Sequence, residues 1–288
     1  MPVYLKFFNL KEFPFAVGAD PRFFYESGIH AEALANMQYV VEQRKGMVVI
    51  TGEVGAGKTF LSSILAGRLE RVAQVVMVTH PPDSAKQLLR AVAEGLDIKT
   101  TRIDDKLDLV AQLEKSLERL YRRGKLVAAL FDEAQDMPDE ALEQIRLLWN
   151  MERDAHRLIQ VVLVGQPQLR DRLRLEKWES LRQRVVLSYH LGRLSPQETA
   201  RYILHRRQVA SQNGCLLRFT PQALERIHQV AHGIPRLINI ICDNCLLIAY
   251  AKNAFTINDA VVCEVLRDMT CWPIQTAPAQ VEPTGDAL

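Results

Sequence analysis

Eight consecutive residues near the first quarter of the chain have the types and spacing of a loop that binds phosphate groups. They are Gly52, Glu53, Val54, Gly55, Ala56, Gly57, Lys58 and Thr59, which match the pattern G-x-x-x-x-G-K-[ST]. Glycines let successive backbone N–H groups point at an anion, and a helix that begins at the end of the loop adds its positive dipole end. We expect Lys58 to contact the β- and γ-phosphates, Thr59 to bind Mg²⁺ through its hydroxyl, and Phe60 to complete the nucleotide-binding segment.

Two carboxylates, Asp132 and Glu133, end the apolar run 126–131 and supply what hydrolysis needs beyond a phosphate cradle. In this Walker B arrangement the first acid lies near Mg²⁺ and the second near the attacking water. Asp132 is the expected metal-side residue. Glu133 is the candidate general base, because a carboxylate over a water in a desolvated site can accept its proton. The alternative is an acidic cluster that caps the next helix. The sequence has no Asn-Lys-x-Asp pattern for reading guanine, so ATP is favoured over GTP.

The elements that must position these residues alternate along the chain. Short apolar runs predict strands, separated mostly by segments of helical period. The predicted strands are 47–51, 75–79, 126–131, 160–164 and 185–189. Such alternation predicts an α/β fold with a parallel sheet and helices on both faces.

The segment 104–123 shows the helical pattern best and carries an apolar stripe, which we interpret as core packing. The members of the stripe are Leu107, Val110, Leu113, Leu117 and Leu120.

The character of the chain changes after residue 194. Ser195 and Glu198 have the spacing of a capping box, and Thr220 precedes a proline that opens a second helix. Two further helices are predicted, one over 236–252 and one capped by Asn258, so we expect a small all-helical lid domain. The predicted divisions are 1–46 for an N-terminal strap and helix of the core, 47–193 for the α/β domain, 194–269 for the lid and 270–288 for a disordered tail.

Composition is consistent with a cytoplasmic globular protein and narrows the function little further. The net charge of +2 neither requires nor excludes a nucleic-acid partner, because local patches matter more than the sum. No apolar run is as long as a membrane span, and the amino terminus lacks the plan of a signal peptide. Five cysteines, an odd number, favour reduced thiols. Cys242 and Cys245 have the spacing of half a zinc site, but their apolar neighbours favour a packed helix.

Taken together, these motifs resemble an AAA+ ATPase, a P-loop fold with a helical lid. The features that carry the resemblance are Walker A, Walker B, a polar residue after the fourth strand, arginines before the fifth, and Gly-x-Pro-Arg in the lid. The amino-terminal segments 4–15, 20–25 and 30–34 narrow the resemblance to the ExeA type, or general secretion pathway protein A. The segments 51–59 and 164–169 are also typical of that group.

The resemblance, which extends over about residues 3–269, implies roles for four further residues. Gln166 matches sensor 1, where a polar side chain contacts the γ-phosphate or the water, and Arg236 matches sensor 2 on the lid. Arg182 and Arg184 are both candidates for the arginine finger that a neighbouring subunit inserts to stabilise the transition state. A finger acting in trans implies a homo-oligomer, either a ring or a filament. Without the resemblance, each arginine would be interpreted as a solvated surface charge.

Two biological roles are consistent with this resemblance. Longer ExeA-type proteins carry a transmembrane helix and a periplasmic peptidoglycan-binding module, neither of which is recognisable here. Shorter relatives resemble the ATPases of MSHA-type pilus biogenesis or exopolysaccharide export, which implies a membrane-bound envelope assembly partner and a cytoplasmic position at the inner membrane. The resemblance of the amino-terminal segments favours this role.

The alternative role is a DNA-associated regulator of transposition of the TniB type, which shares the AAA+ core. The segment 166–184 has six basic against three acidic residues, and such a patch can hold the phosphates of duplex DNA. The same segment can equally form a subunit interface, which the arginine-finger placement already implies.

Two smaller expectations concern the neighbours of the nucleotide site. The aromatic segments 13–15 and 23–25 either line an adenine pocket or form a hydrophobic strap over the edge of the sheet, and we favour the strap. His80, at the end of the second strand, is a candidate partner that restrains Glu133, a hypothesis that depends only on its strand position.

Overall fold

The computed structural model describes residues 4–16, 18, 20–100 and 105–269, and the predicted tail 270–288 lies outside them. The strands are β1 Met47–Gly52, β2 Ala73–Val78, β3 Leu126–Phe131, β4 Glu152–Arg153, β5 His156–Arg157, β6 Gln160–Gly165, β7 Val185–Leu191, β8 Arg218–Phe219 and β9 Thr256–Ile257. The helices are α1 Leu5–Phe8, α2 Gly28–Glu42, α3 Lys58–Leu69, α4 Ala85–Gly95, α5 Lys106–Arg122, α6 Asp139–Trp149, α7 Pro167–Arg174, α8 Glu179–Arg182, α9 Pro196–Ala210, α10 Pro221–Ala231, α11 Pro235–Ala251 and α12 Asp259–Met269.

Five strands form one parallel sheet in the order β2-β3-β6-β1-β7. Every residue of β1, β3 and β6 is buried, because these strands have neighbours on both sides and helices on both faces. The outer strand β7 instead alternates between exposed and partly buried residues over most of its length. The predicted α/β fold is confirmed, and the predicted strand bounds differ from the observed ones by at most two residues.

The parallel register brings the carboxyl ends of the strands together at one end of the sheet, here called the carboxyl end. Thr51 lies opposite Gly165 on β6, and Gly52 lies opposite Leu191 on β7. The phosphate loop after β1, the acidic pair after β3 and the polar residue after β6 therefore emerge side by side. The amino ends of the same strands form the other end of the sheet, the amino end.

Successive residues of the strands pack into two separate apolar layers. Phe131 and Leu163 lie on one face, with helices α4, α5, α6 and α7. Leu130 and Val164 lie on the other face, with α2 and α3. Continuous apolar strands covered on both faces explain why the sequence shows runs rather than alternation.

Helix α5 confirms that the apolar stripe packs in the core, with one correction. Leu113 and Leu117 are buried as predicted, but in the first turns Leu109 is buried whereas Leu107 is 76 % exposed. Side chains one helical turn apart share a face, and Leu109 lies one turn before Leu113. Leu107 is instead beside the capping residue Asp105, whose carboxylate accepts from the Leu107 N–H.

The amino-terminal strap, residues 4–16, packs against helices α9 to α12. We had favoured a position over the edge of the sheet, and that prediction is wrong. Tyr4 and Phe15 belong to the apolar core of this helical region. Arg206 of α9 is 3 % exposed, and its Nε donates to the carbonyl oxygen of Pro14 at 2.6 Å. A buried guanidinium requires such acceptors because an unpaired buried charge is costly, so the strap and the helical region stabilise each other.

The predicted helix starts of the helical region are confirmed. Ser195 and Glu198 form the capping box at the start of α9. The hydroxyl of Thr220 accepts a hydrogen bond at the start of α10, and the side chain of Asn258 does the same at α12. These caps satisfy N–H groups that have no partner within the helix.

Cys242 and Cys245 lie fully buried on α11, as the packed-helix interpretation predicted. Burial raises the pKa of the Cys245 thiol to about 12, so it stays protonated and is a poor metal ligand. Within the described residues, no group of three or more His, Cys, Asp or Glu side chains is placed to hold a metal ion. None of the described helices is both long enough and apolar enough to cross a lipid bilayer.

Candidate nucleotide site

The loop between β1 and α3 has the backbone that its glycines permit. The φ angles of Gly55 and Gly57 are 81° and 96°, in the left-handed region that favours glycine. A Cβ atom on Gly55 would lie 2.6 Å from the Cβ of Arg236, so the lid approaches the loop too closely for any side chain there. Helix α3 begins at Lys58, which places its positive dipole end at the loop.

The other members of the predicted segment occupy three different environments. Val54 is 55 % exposed at the outer side of the loop, and Ala56 is buried. Phe60 lies in the first turn of α3, with its ring edge-on to Phe24 at 5.4 Å. Glu53 is at the surface of the loop and accepts hydrogen bonds from the guanidinium of Arg193 at 2.8 and 3.1 Å.

Lys58 lies inside the loop and is only 6 % exposed. Its Nζ donates to the carbonyl oxygens of Gly52 at 2.9 Å and Glu53 at 3.0 Å. Burial lowers the pKa of Lys58, and the nearby carboxylates of Glu133 and Asp132 oppose this shift. The ammonium group is thus directed at oxygen acceptors, and phosphate oxygens can replace these carbonyls as stronger, charged acceptors.

Thr59, in the first turn of α3, and Asp132, directly after β3, come together from distant parts of the chain. The Thr59 hydroxyl donates to Oδ2 of Asp132 at 2.5 Å. Asp132 is 3 % exposed, and its Oδ1 accepts from the backbone N–H of Glu133 at 2.9 Å. A hydroxyl and a carboxylate are hard oxygen ligands, so this pair fits the donor set that Mg²⁺ takes beside phosphate oxygens.

The carboxylate of Glu133 is held on one oxygen only. Its Oε2 accepts from Nε2 of Gln135 at 2.7 Å and from Nε2 of Gln166 at 3.5 Å. Among the described residues no group donates to Oε1. The backbone of Glu133 is left-handed, with φ at 49°, which is uncommon for a residue other than glycine and recurs at functional sites. The arrangement leaves one carboxylate oxygen for a water molecule.

The structure does not support His80 as the partner of Glu133. His80 is exposed, and its Nδ1 is 3.0 Å from the hydroxyl of its neighbour Thr79. Gln135 occupies the partner position instead, and our sequence reasoning missed it. The only signal was an amide side chain two residues beyond the Walker B glutamate, and no periodicity or capping rule singles out that position.

The lid contacts the loop through the amino end of α11. The backbone N–H of Arg236 donates to the carbonyl oxygen of Gly55 at 3.2 Å. The positive charge of Arg236 also lowers the pKa of Lys58, which shows that the two cations lie near each other. Arg236 is therefore placed where it can add charge to the phosphate site from the lid.

Arg182 and Arg184 lie at the amino end of the sheet, away from this site. The carbonyl oxygen of Arg184 accepts from the N–H of Met47, the first residue of β1. The six residues of β1 separate that point from the phosphate loop, a rise of about 17 to 20 Å. That separation is far beyond the reach of an arginine side chain, so neither residue can contact the nucleotide of its own chain.

Both arginines have hydrogen-bond acceptors within the chain. Nη1 of Arg182 donates to the carbonyl oxygens of Leu173 and Arg174 at 3.1 and 3.0 Å, at the end of α7. Nε of Arg184 donates to Oδ1 of Asn150 at 3.1 Å, and its guanidinium lies 5.5 Å from the ring centre of Trp149. These contacts hold the two side chains without assigning the finger to either.

Part of the second aromatic segment lies beside the phosphate loop. Phe24, Tyr25 and Phe60 line a cavity of about 30 Å³ next to Gly57. That volume is close to the share of one water molecule in the liquid, so an adenine ring enters only if these aromatic groups move apart. The segment 23–25 is thus consistent with the adenine-pocket alternative, whereas Phe15 belongs to the core of the helical region.

The surface of the basic segment 166–184 carries less positive charge than the sequence indicated, because a carboxylate from outside the segment pairs with two of its basic side chains. Arg172 and Lys177 both form ion pairs with Asp139, and Arg174 pairs with Asp171 at 3.6 Å. Asp139 lies in the first turn of α6, whose amino end has no side-chain cap, and these two cations hold its carboxylate. These three basic side chains share two carboxylates, and only Asp139 lies outside the segment, so the local excess of positive charge falls from three to two and the case for a phosphate-binding surface weakens.

Comparisons with known proteins agree with this geometry. Residues 41–173 match the model of an AAA domain. A curated relative, "General secretion pathway protein A" from Aeromonas hydrophila, is 39 % identical over 257 residues. The match covers 88 % of this chain and 46 % of the relative, so the chain spans about half the length of the protein it resembles.

Solved structures share the fold at low sequence identity. The Aeropyrum pernix ORC2 protein is similar with a TM-score of 0.69 at 18 % identity, over 89 % of this chain and 73 % of that chain. CDC6P from Pyrobaculum aerophilum is similar with a TM-score of 0.68 at 16 % identity, over 88 % of this chain and 70 % of that chain. The RuvB branch migration motor of Thermotoga maritima is similar with a TM-score of 0.53 at 17 % identity, over 83 % of this chain and 69 % of that chain. Identities this low establish the fold alone.

The three kinds of comparison point to one family. The domain match covers both the phosphate loop and the acidic pair, and the similarity to the secretion protein extends over most of the chain. The solved structures share the overall fold over most of this chain. The chain therefore contains an AAA domain over residues 41–173 and is similar over most of its length to general secretion pathway protein A.

Proposed function

We propose that this ATPase hydrolyses ATP with Mg²⁺ as an oligomer and so drives or regulates assembly of a bacterial secretion, pilus or exopolysaccharide machine. The observation that carries the catalytic part is the meeting of Thr59 with Asp132, at 2.5 Å, beside the buried Lys58. A phosphate loop and a Walker B acid are distant in sequence, and hydrolysis requires them in one place.

Each residue of the site has a role in this proposal. Lys58 and the N–H groups of the loop bind the phosphates, and Thr59 and Asp132 hold Mg²⁺, which neutralises charge on the phosphate oxygens. Glu133 takes the proton of the attacking water on its free oxygen. Gln166, within reach of Glu133, orients the water or the γ-phosphate. These roles require no covalent intermediate, in keeping with phosphoryl transfer by positioning and electrostatics.

The oligomer follows from the position of the arginines. Phosphoryl transfer is accelerated by a cation that stabilises the charge of the transition state. Arg182 and Arg184 lie at the far end of the sheet, about 17 to 20 Å from the loop of their own chain. A neighbouring copy in a ring or filament can present that end of its sheet to this site, and then the finger acts in trans.

The envelope role rests on the similarity to a secretion protein over most of this chain. In this proposal the ATPase works at the cytoplasmic side of the inner membrane through a membrane-bound partner. The local ion pairs of Arg172, Arg174 and Lys177 count against a DNA-binding surface on the segment 166–184.

Steady-state ATP turnover over a range of protein concentrations, with and without duplex DNA, tests the proposal. Glu133→Gln serves as the blank. We expect specific activity to rise with protein concentration and to be unchanged by DNA. Strong stimulation by DNA at low salt that disappears as salt rises would favour the DNA-associated regulator. Normal hydrolysis by Glu133→Gln would show that the general base is wrongly assigned.

A further inference from the structure

The side-chain amide of Gln135 engages both of its N–H donors and its carbonyl oxygen within the candidate nucleotide site. Its Nε2 donates to Oε2 of Glu133 at 2.7 Å and to Oδ2 of Asp136 at 2.8 Å. Its Oε1 accepts from the backbone N–H of Gln166 at 2.9 Å. A primary amide has two N–H donors and one carbonyl oxygen, and all three are engaged here.

The orientation of this amide is determined by its neighbours. With nitrogen and oxygen exchanged, the carbonyl oxygen would face the carboxylates of Glu133 and Asp136, and the NH₂ group would face the N–H of Gln166. Both contacts would be repulsive, so only one orientation satisfies the site. Gln135 therefore links Glu133, which follows β3, to Gln166, which follows β6, in a fixed geometry.

The surrounding backbone is built to admit this side chain. A Cβ atom on Gly165, the last residue of β6, would lie 2.7 Å from Oε1 of Gln135. Glycine at that position allows the amide to lie between the ends of the two strands. On the other side, Nη1 of Arg172 donates to the carbonyl oxygens of Gln135, at 3.1 Å, and of Met137, which fixes the short 3₁₀ turn Ala134–Asp136 that carries the glutamine.

We propose that Gln135 is a positioning residue for hydrolysis, which fixes the carboxylate of Glu133 and the start of the segment that carries Gln166 relative to each other. By engaging Oε2 of Glu133, the amide directs Oε1 toward the water. By accepting from the N–H of Gln166, it fixes the distance between the base and the sensor. The inference rests on the proposed roles of Glu133 and Gln166, and it assigns no contact between Gln135 and the nucleotide.

The expected signature is a loss of turnover without a loss of nucleotide binding. Gln135→Met keeps the length of the side chain and removes its donors and acceptor. Because a hydrogen bond to a charged group is lost, we expect kcat to fall by about tenfold to a hundredfold. We expect the dissociation constant of a fluorescent ATP analogue, measured directly, to change by less than about threefold, because Lys58 and the loop are untouched. Gln168→Met, an exposed glutamine on α7, is the matched control and should keep the normal kcat.

A second variant keeps the test decisive if Gln135→Met unfolds. Gln135→Glu retains the acceptor for Gln166 but replaces the donor to Glu133 with a carboxylate, so we expect a larger loss of kcat than for methionine. Thermal unfolding midpoints for both variants show whether each is folded at the assay temperature.

A double variant separates positioning from a general structural role. If Gln135 acts mainly through Glu133, then Gln135→Met should lower single-turnover hydrolysis by a much smaller factor in Glu133→Gln than in the unaltered protein. A kcat of Gln135→Met equal to the normal value, with Glu133→Gln inactive, would overturn the inference and leave the proposed function standing. Equal losses of kcat and of nucleotide affinity, or full additivity in the double variant, would overturn it as well. Normal turnover by Glu133→Gln would instead contradict the proposed function itself.

Discussion

The two ends of the sheet carry the two sets of residues proposed for phosphoryl transfer and differ in how they are built. At the carboxyl end, Lys58, Asp132 and Glu133 are buried or partly buried, and the side chain of each forms a hydrogen bond of 2.5 to 2.9 Å with a neighbouring group. At the amino end, Arg182 is exposed and Arg184 is only partly buried, and both bind acceptors of their own chain. In the proposed function the carboxyl end binds and positions the nucleotide, whereas the amino end provides a cation to a neighbouring copy.

The difference teaches that, if Arg182 or Arg184 is the proposed finger, one chain has every part of the site but cannot assemble it alone. The strands are parallel, so residues at opposite ends of a strand stay apart by the length of the strand. A second copy removes this constraint, because its amino end can approach the carboxyl end of the first. The predictions below test whether the two ends have the separate roles that their geometry indicates.

The largest expected effect is the loss of nucleotide binding in Lys58→Ala. The ammonium group of Lys58 is buried in the loop, and removal of it leaves the phosphates without their central cation. We expect affinity for a fluorescent ATP analogue to fall by about a hundredfold or more, from titration by fluorescence anisotropy. Lys45→Ala, an exposed lysine at the amino end, is the matched control. Equal losses in the two variants would remove the distinction between the two ends.

A large effect on turnover alone is expected from the amino end. Arg182→Ala or Arg184→Ala should lower kcat by about a hundredfold or more and leave nucleotide affinity unchanged, because a finger stabilises only the transition state. Arg174→Ala, an exposed arginine with one long ion pair, is the control.

Mixing distinguishes a trans finger from a damaged fold. The inactive arginine variant retains the loop, and Lys58→Ala retains both arginines, so a mixture of the two should recover part of the activity. If the mixture stays inactive while both proteins are folded and associate, the assignment of the finger to these residues is wrong.

An intermediate effect is expected from the lid. Arg236 contacts the loop by its backbone, which Arg236→Ala preserves, and brings its charge near Lys58. We expect affinity for ATP to fall by about tenfold and affinity for ADP to fall less, because ADP carries less charge. Arg201→Ala, exposed on α9, should change neither dissociation constant. Equal losses for both nucleotides, measured by isothermal titration calorimetry, would indicate a structural role.

The smallest expected effect concerns pH. His30, buried between Ser27 and the phosphate loop, has its pKa lowered by burial, although a hydrogen bond with the backbone of Ala56 opposes the shift. Below the ordinary histidine pKa of about 6.5, His30 binds a proton in the unfolded chain but stays neutral in the folded state until the pH reaches its lowered pKa. The free energy of unfolding therefore falls as pH drops from 7 toward the lowered pKa of the folded state.

Substitution isolates the contribution of His30 to this pH dependence. In His30→Gln we expect the urea midpoint to change less steeply between pH 5.5 and about 7 than in the unaltered protein. His156→Gln, an exposed histidine at the amino end, should leave the slope unchanged. An unchanged slope in His30→Gln would show that the buried imidazole does not contribute.

Much of the carboxyl end could be predicted because its signals are local. The glycines and Lys58 follow directly from β1, and the acids follow directly from β3, so the end of a buried strand fixes where each side chain begins. Parallel pairing then brings such strand ends together without further information. The caps of α9, α10 and α12 were predictable for the same reason, since each cap bonds to an N–H only a few residues away.

Contacts between distant segments could not be predicted in this way. The strap was expected on the sheet, yet it packs on the helical region, where Arg206 binds its carbonyl oxygens. His80 was the expected neighbour of Glu133, yet the neighbour is Gln135, because Gly165 leaves room for an amide between the strand ends. The apolar character of the strap allows it to pack on either the sheet or the helical region. The polar character of His80 and Gln135 likewise allows either of them to contact Glu133.

The sequence by itself determined the parallel fold and the identity of the residues proposed to bind phosphate, because glycine conformation, strand hydrophobicity and helix caps act over a few residues. Only the tertiary structure decided that Glu133 is held by Gln135, that Arg236 reaches the loop from the lid, and that Arg182 lies at the other end of the sheet. These facts depend on register and packing between segments far apart in the chain, which local interactions do not encode.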